Sequence, residues 1–543
     1  MTAKLADFDW QKTNAGFIGN NEHNVSNIKQ LLDSKGCGFC MAKFKQVTLH
    51  LGTGMTHSCH HPSPHKIPLE EIEANPAALF NTKHLKHARK EMLNNERPSE
   101  CDYCWRVEDD GGTSDRHYKS LEPWALGDFD ETVKLTGDED LYPSYLEVSF
   151  GNVCNLACTY CGPEFSSTWV QDLKQKGPLK IYEGKDNEQW VQGYQDLDTL
   201  NYRNNEFNPY IDAFWKWFPE ASKHMKHYRI TGGEPLMSKE TFRSMDHLIE
   251  NPNTDLEFSI NTNLSVPDKL WNQFIEKLKL LKDGKVKKIT IYTSAEGWDG
   301  RAEYARTNLD FDLFKFRYEQ LLRLGNVRAV VMATFNIFAI TSFKKLLEFI
   351  YEMKVRYNPD NTNQHLETST GFKINPNTND FTLRRKKNPD HSIVCGIDIP
   401  YLRSPDFLDV QICSHELVEE YLIPCLEYMS THGTTGTWLD HQGFELYEIE
   451  KFKRIVIHRF YHNRKSEPER DTHADILKKR SKFYEFVNAI DERRGTSFLD
   501  VYPEMKDFYY LCEENHKTYA QWREIWKEEA RVKKQKEEAE TNE

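Results

Sequence analysis

The chain has 543 residues, 13% of them aromatic, which is length enough for more than one domain and too much aromatic character for a disordered chain. Its 71 Lys and Arg stand against 84 Asp and Glu, and the resulting net charge of −13 argues against broad electrostatic binding to nucleic acid or anionic membrane. The start, MTAKLADFDWQKTN, has no apolar stretch of a secretory signal, and no apolar run reaches the ~18 residues of a membrane span, so a cytoplasmic protein is expected.

Residues 1–135 read as a Cys- and His-rich module. It carries a predicted strand, QVTLHL (46–51), and an amphipathic helix, TKHLKHARKEMLNN (82–95), that ERP brings to an end. DDGGTSD (109–115) reads as a loop. Five of the 12 cysteines lie here: Cys37, Cys40, Cys59, Cys101 and Cys104. In a large cytosolic chain such clustering points to metal or redox chemistry rather than to a disulfide framework.

Residues 136–430 alternate short β-branched or aromatic runs with helical patterns. The predicted strands are SYLEVSF (144–150), HYRIT (227–231), LEFSIN (256–261), KKITIYTS (287–294), VRAVVMATF (327–335) and FLDVQIC (407–413). Helices are predicted at KETFRSMDHLIEN (239–251), PDKLWNQFIEKLKLL (267–281) and SFKKLLEFIYEMK (342–354). This alternation predicts an α/β fold with a parallel sheet, and six units fit a partial barrel better than a closed eight-stranded one. Two polar stretches, 170–226 and 355–405, read as insertions on loops. Residues 431–543 are expected to be mostly helical, with one strand at RIVIH (454–458) and a solvated, charged helix at the end. Cys395, Cys413, Cys425 and Cys512 are scattered and read as small buried hydrophobes.

The first barrel strand runs straight into VCNLACTYCG (153–162), which holds Cys154, Cys158 and Cys161. That position is the carboxyl end of a strand, where barrels place their chemistry. Three thiolates on one short loop can hold three irons of a 4Fe–4S cube and leave the fourth open to an external ligand. A zinc site completed by a distant His is the alternative. The second strand ends in RITGGEP (229–235), where Gly232 and Gly233 permit close approach to the backbone, Glu234 offers a carboxylate and Pro235 stiffens the exit.

With these two motifs on successive strand ends, the chain resembles the radical S-adenosylmethionine enzymes over about residues 140–425. CNLACTYC (154–161) matches that family's cluster loop, Tyr160 included, and GGEP (232–235) matches its methionine-binding turn. The resemblance implies a partial (β/α)6 barrel in which the open iron chelates S-adenosylmethionine. An electron from the cluster then cleaves the sulfonium and yields a 5′-deoxyadenosyl radical that abstracts a substrate hydrogen. It implies a flavodoxin, ferredoxin or other reductase as electron donor, and a peptide or protein as the leading substrate class. Further strand-end residues fit such a pocket: Asn261 and Asn263 after the third strand, and Ser294 and Glu296 after the fourth. Arg301 or Arg306 is placed to pair with the cofactor's carboxylate, and Asn336 ends the fifth strand.

The N-terminal cysteines form two C-x2-C pairs, 37/40 and 101/104, with Cys59 between them. The layout resembles the twitch and SPASM modules of the same enzymes, which hold an auxiliary iron–sulfur cluster, although those modules usually follow the barrel and this one precedes it. Cys40, Cys59, Cys101 and Cys104 are the expected ligands, with Cys37 the spare. Structural zinc, with His57, His60, His61 or His65 as a ligand, is the alternative at this site. The competing reading of the whole chain is a zinc-stabilised, non-catalytic interaction protein on a barrel scaffold.

Overall fold

The computed structural model describes residues 22–179, 181, 197, 201–202, 206–358, 393–434, 442–461 and 469–541. The fold is mixed α/β. Its strands are β1 (Gln46–His50), β2 (Met55–His57), β3 (His65–Lys66), β4 (Tyr145–Ser149), β5 (Ala157–Cys158), β6 (His227–Thr231), β7 (Asn253–Thr262), β8 (Val286–Ser294), β9 (Arg306–Thr307), β10 (Val327–Met332) and β11 (Cys395–Asp398). The chain divides into two compact units, one of Met1–Cys154 with Asp198–Tyr292, the other of Asn155–Leu197 with Thr293–Glu543. No helix among the described residues is long and apolar enough to cross a membrane.

In the first unit β4, β6 and β7 run parallel, with Leu146 opposite Tyr228 and Ile230 opposite Ile260. Alternation decides the two faces of this sheet. Leu146, Val148, Tyr228, Ile230, Phe258 and Ile260 are buried, whereas Glu147, Arg229, Thr231, Ser259 and Asn261 on the other face are half-buried. The apolar face is covered by helices such as Lys239–Glu250, which buries Phe242, Met245 and Leu248 at helical spacing. The Tyr228 hydroxyl meets the Ser244 hydroxyl of that helix at 2.9 Å. On the other side of β4 lies β1, also parallel, with Gln46 opposite Tyr145 and His50 opposite Ser149. Antiparallel β2 and β3 complete that side of the sheet. The Cys-rich segment thus shares its backbone hydrogen bonding with the strand that leads into the cysteine loop.

In the second unit β10 pairs in parallel with β11, Ala329 opposite Cys395, and β5 pairs antiparallel with β9. The predicted strand at 407–413 is not one: Asp406–Leu408 and Val410–Ile412 are 3-10 turns. Asp409 accepts a hydrogen bond from the Gln411 amide, a local bond that competes with extended backbone, and Phe407, Leu408, Val410 and Ile412 are buried without any ladder. The strand that follows β10 is β11, inside the stretch read as an insertion; residues 359–392 of that stretch lie outside the described residues. The predicted strand RIVIH is also overturned, because it lies within the helix Leu446–Tyr461. Phe452, Ile455 and Val456 are buried there at i, i+3 and i+4, a helical stripe rather than an alternation. The first polar insertion carries two helices, Ser167–Lys176 and Pro209–Ala221.

A buried ion pair ties this unit together. Lys354 Nζ lies 2.8 Å from Glu448 Oε2, with the two side chains 1% and 0% exposed, and Glu448 also accepts from the Ile397 amide at 2.9 Å. Lys354→Met leaves a carboxylate buried without its cation, so chemical unfolding is expected to show a loss of about 3–5 kcal/mol. A loss below about 1 kcal/mol would mean the pair is as dispensable as a surface one.

Candidate functional site

The division between the units falls between Cys154 and Asn155, so the loop is described from each side. In the first unit the GGEP turn lies against the backbone that precedes Cys154. The Gly233 amide donates to the Gly151 carbonyl at 3.2 Å and the Glu234 amide to the Val153 carbonyl at 2.7 Å. Gly232 has φ of 124°, a conformation that favours glycine. A Cβ on Gly233 comes 2.5 Å from the Val153 carbonyl oxygen and 2.7 Å from the Asn152 carbonyl carbon. The second glycine is therefore required by the cysteine loop itself.

Glu234 is 2% exposed, and its oxygens accept from the Leu236 amide at 3.0 Å and the Asn263 amide at 2.7 Å. Burial pushes its pKa up to about 7 against those two donors. Both oxygens are thus engaged with backbone, and the carboxylate braces the turn to the end of β7. Asn263 Nδ2 lies 3.9 Å from Cys154 Sγ, while its Oδ1 caps the Ser265 amide at 2.8 Å. Asn261 Oδ1 is taken by Arg229, at 3.1 Å from Nε and 3.0 Å from Nη2. Pro235 is buried beside Glu234 in a pocket that Gly233, Val153 and Thr241 also line.

In the second unit the register of β5 and β9 sets Cys158 opposite Arg306. Arg306 Nη1 lies 3.8 Å from Cys158 Sγ, and Nε and Nη2 lie 2.8 and 2.7 Å from Glu296 Oε2. Tyr160 donates to the same oxygen at 3.2 Å. Arg306 is therefore already paired with an acid of the chain. Burial disfavours its charge, but Glu296 beside it holds its pKa above the usual arginine value. Burial raises the Cys158 thiol, and Arg306 opposes that. Glu296 is fully buried, and among the described residues its Oε1 has no hydrogen-bond partner, so it stands as an open acceptor. Ser294 ends β8 half-buried, and the neighbouring Thr293 hydroxyl donates to the Val330 carbonyl at 3.4 Å. Cys161 turns back on Cys158, its amide 3.1 Å from the Cys158 carbonyl. Arg301 is held in two hydrogen bonds of 2.8 Å to Glu504, and Asn336 caps its own turn through Thr334 and Phe338.

The N-terminal cysteines fall into one place. Cys40, Cys59, Cys101 and Cys104 line a single pocket with Lys43, His60, His61, Asp115, Arg116 and Lys119, whereas Cys37 is exposed. Cys40 immediately precedes the helix Met41–Lys45, Cys59 follows β2, and Cys101 and Cys104 lie one turn apart at the start of the helix Asp102–Asp109. Cys101 and Cys104 belong to a core with Phe39, Met41, Ala42, Phe44, Met92 and Trp105, and Cys40 packs against it. Burial pushes Cys59 up to about 11 and Cys101 and Cys104 up to about 12, with the ammonium of Lys43 opposing this at Cys59 and Cys101. Lys43 is buried and bonded to Glu100. Among the histidines, His61 bonds Asp115 at 2.6 Å, His65 meets Thr82 at 3.0 Å, and His57 reaches the Cys59 carbonyl. Among the described residues no three His, Cys, Asp or Glu side chains converge on a point that would hold one metal ion. Lys43 and Glu100 belong to no motif, and no signal in the sequence marks them.

Residues 148–325 match the family model described as the Radical SAM superfamily. No curated protein matches the chain. Among solved structures the chain is similar to Streptococcus suis SuiB bound to S-adenosylmethionine, at 14% identity and a TM-score of 0.26 over 57% of this chain and 60% of that one. It is also similar to SuiB bound to precursor peptide SuiA, at 13% identity and a TM-score of 0.25 over the same shares. The chain thus matches about 60% of the length of those proteins.

The residues present fit the groups this family uses. Three thiols on one loop are the donor type a cluster takes, two glycines leave no side chain at the turn, and among the described residues Glu296 Oε1 has no hydrogen-bond donor. Gly233→Ala is expected to lower the melting temperature, retained iron and S-adenosylmethionine affinity together, since overpacking of this kind costs about 1–3 kcal/mol. Calorimetry on anaerobic protein reads the affinity. Weakened binding with unchanged melting and iron would mean that Gly233 serves the ligand alone.

Proposed function

We propose that the chain is a radical S-adenosylmethionine enzyme in which Cys154, Cys158 and Cys161 hold a 4Fe–4S cluster. What carries this reading is the backbone union of its two motifs: the amides of Gly233 and Glu234 donate to the carbonyls of Gly151 and Val153, immediately before Cys154. A tight turn serving only the fold has no need to be joined to a three-cysteine loop. When bound, the cluster and S-adenosylmethionine supply a carbon-centred radical that takes hydrogen from the substrate.

The chain's own residues do the holding. Glu234 fixes the turn through Leu236 and Asn263, and Asn263 turns an amide towards Cys154. Arg306 stands opposite Cys158 with its charge balanced by Glu296, and Glu296 Oε1 is offered to a hydroxyl donor such as a ribose. Cys40, Cys59, Cys101 and Cys104 are proposed as ligands of an auxiliary iron–sulfur cluster; four thiols lining one pocket, two of them buried and two half-buried, with the buried cation Lys43 support that assignment. The substrate is proposed to be a peptide or protein, and the electron donor a flavodoxin, ferredoxin or other reductase. Anaerobic purification tests the reading. A brown, iron-rich protein that releases 5′-deoxyadenosine with dithionite is expected, and a colourless protein carrying zinc would overturn it.

A further inference from the structure

We infer that Arg494, the last residue of the helix Glu469–Arg494, is a positioning residue of the cysteine loop and supplies the positive charge that balances the group the loop holds. The inference rests on the radical S-adenosylmethionine reading above.

Three successive carbonyls of the loop are each caught by a side chain. The Ser166 hydroxyl donates to Leu156 at 2.7 Å, Arg494 Nη2 to Ala157 at 2.7 Å, and the Trp169 indole to Cys158 at 2.9 Å. Ser166 and Trp169 belong to the turn and helix that follow the loop, so their bonds are local. Arg494 is 337 residues from Ala157 in the sequence, and no local folding brings it there. Its guanidinium lies over the Trp169 ring, 5.5 Å from the centroid, and its Nη1 reaches the Tyr304 carbonyl at 3.4 Å.

The charges around it are unequal. Arg306 has Glu296, Arg301 has Glu504, and Arg493 has Asp172 at 2.6 Å. Among the described residues Arg494 makes no carboxylate ion pair; its bonds go to two neutral carbonyls. Burial pulls its pKa down to about 10. A cation so placed needs an anion nearby; Asp172 acts on it but is paired with Arg493, and Cys158, next to Ala157, is the anion the loop would offer as a metal-bound thiolate. The same charge favours adding an electron to whatever those thiolates bind.

The test uses full-length, anaerobically purified protein and an EPR-monitored redox titration of the cluster whose signal changes when S-adenosylmethionine is added. Arg494→Gln keeps a carbonyl donor and removes the charge, and should make reduction at least tenfold less favourable, a fall in potential of about 59 mV for one electron. Arg494→Lys should restore the wild-type potential. Arg493→Gln, which breaks a pair at the same helix end, should lower stability without moving the potential. An unchanged potential in Arg494→Gln overturns the inference. If Arg494→Gln holds too little iron to titrate, Arg494→Lys decides: a wild-type potential supports the inference, and equal loss of iron overturns it. A wild-type protein with no such cluster signal refutes the parent reading instead, so the two failures are distinct.

Discussion

Replacing Cys154, Cys158 and Cys161 together by Ala is expected to remove one cubane of iron, about four atoms per chain, and to abolish release of 5′-deoxyadenosine. The three substitutions delete three metal bonds and three negative charges at once. Cys158 is 8% exposed and stands opposite Arg306, so the loss also leaves a cationic group facing an alanine. The scaffold itself should survive, because the loop's carbonyls remain held by Ser166, Trp169 and Arg494. Iron analysis and product chromatography check this. Full iron with undiminished 5′-deoxyadenosine would show that the loop binds no catalytic cluster.

The second large effect is expected at the N-terminal pocket. Cys101→Ala with Cys104→Ala should lower iron by roughly two to four atoms while the cluster on the barrel loop stays. Cleavage of S-adenosylmethionine without substrate should therefore persist, and product formation should fall. Both thiols lie in the apolar core beside Trp105, with Lys43 near Cys101, so losing a bound group there unbalances a buried charge and loosens the surrounding helices. A lower melting temperature should accompany the change. Mössbauer spectra of wild type and variant decide it: identical iron signals would mean that these two cysteines hold no cluster, and zinc becomes the better assignment.

The two motifs are more legible in the sequence than the partners of their residues. Cysteine spacing and a glycine pair are local in sequence, so the loop at 154–161 and the turn at 232–235 could be read directly. The charge states of Glu234 and Arg306 could not, because they depend on who sits opposite. Glu234 spends both oxygens on backbone amides, and Arg306 is committed to Glu296. Arg494 carries no motif at all, and only the tertiary fold brings it to Ala157. Strands failed where an apolar run was short. FLDVQIC has β-branched and aromatic composition, but Asp409 turns it, and RIVIH is one stripe of a longer helix. β11 was missed because Cys395–Asp398 is only four residues long and follows a polar stretch. The parallel pairing of β1 with β4 was invisible too, since nothing local joins residues about a hundred positions apart.

That last pairing bears on how the chain can be divided. By sequence, residue 136 is a natural place to begin a separate barrel, but five successive residues of β4 have their partners in β1. A chain cut there presents β4 as a bare edge whose amides and carbonyls on that side have lost their ladder. Such an edge is a template for other strands, and proteins ordinarily blunt or cover it. The N-terminal segment is in this sense a guard against edge-to-edge association, a duty it owes the sheet whether or not its four thiols ever meet a metal.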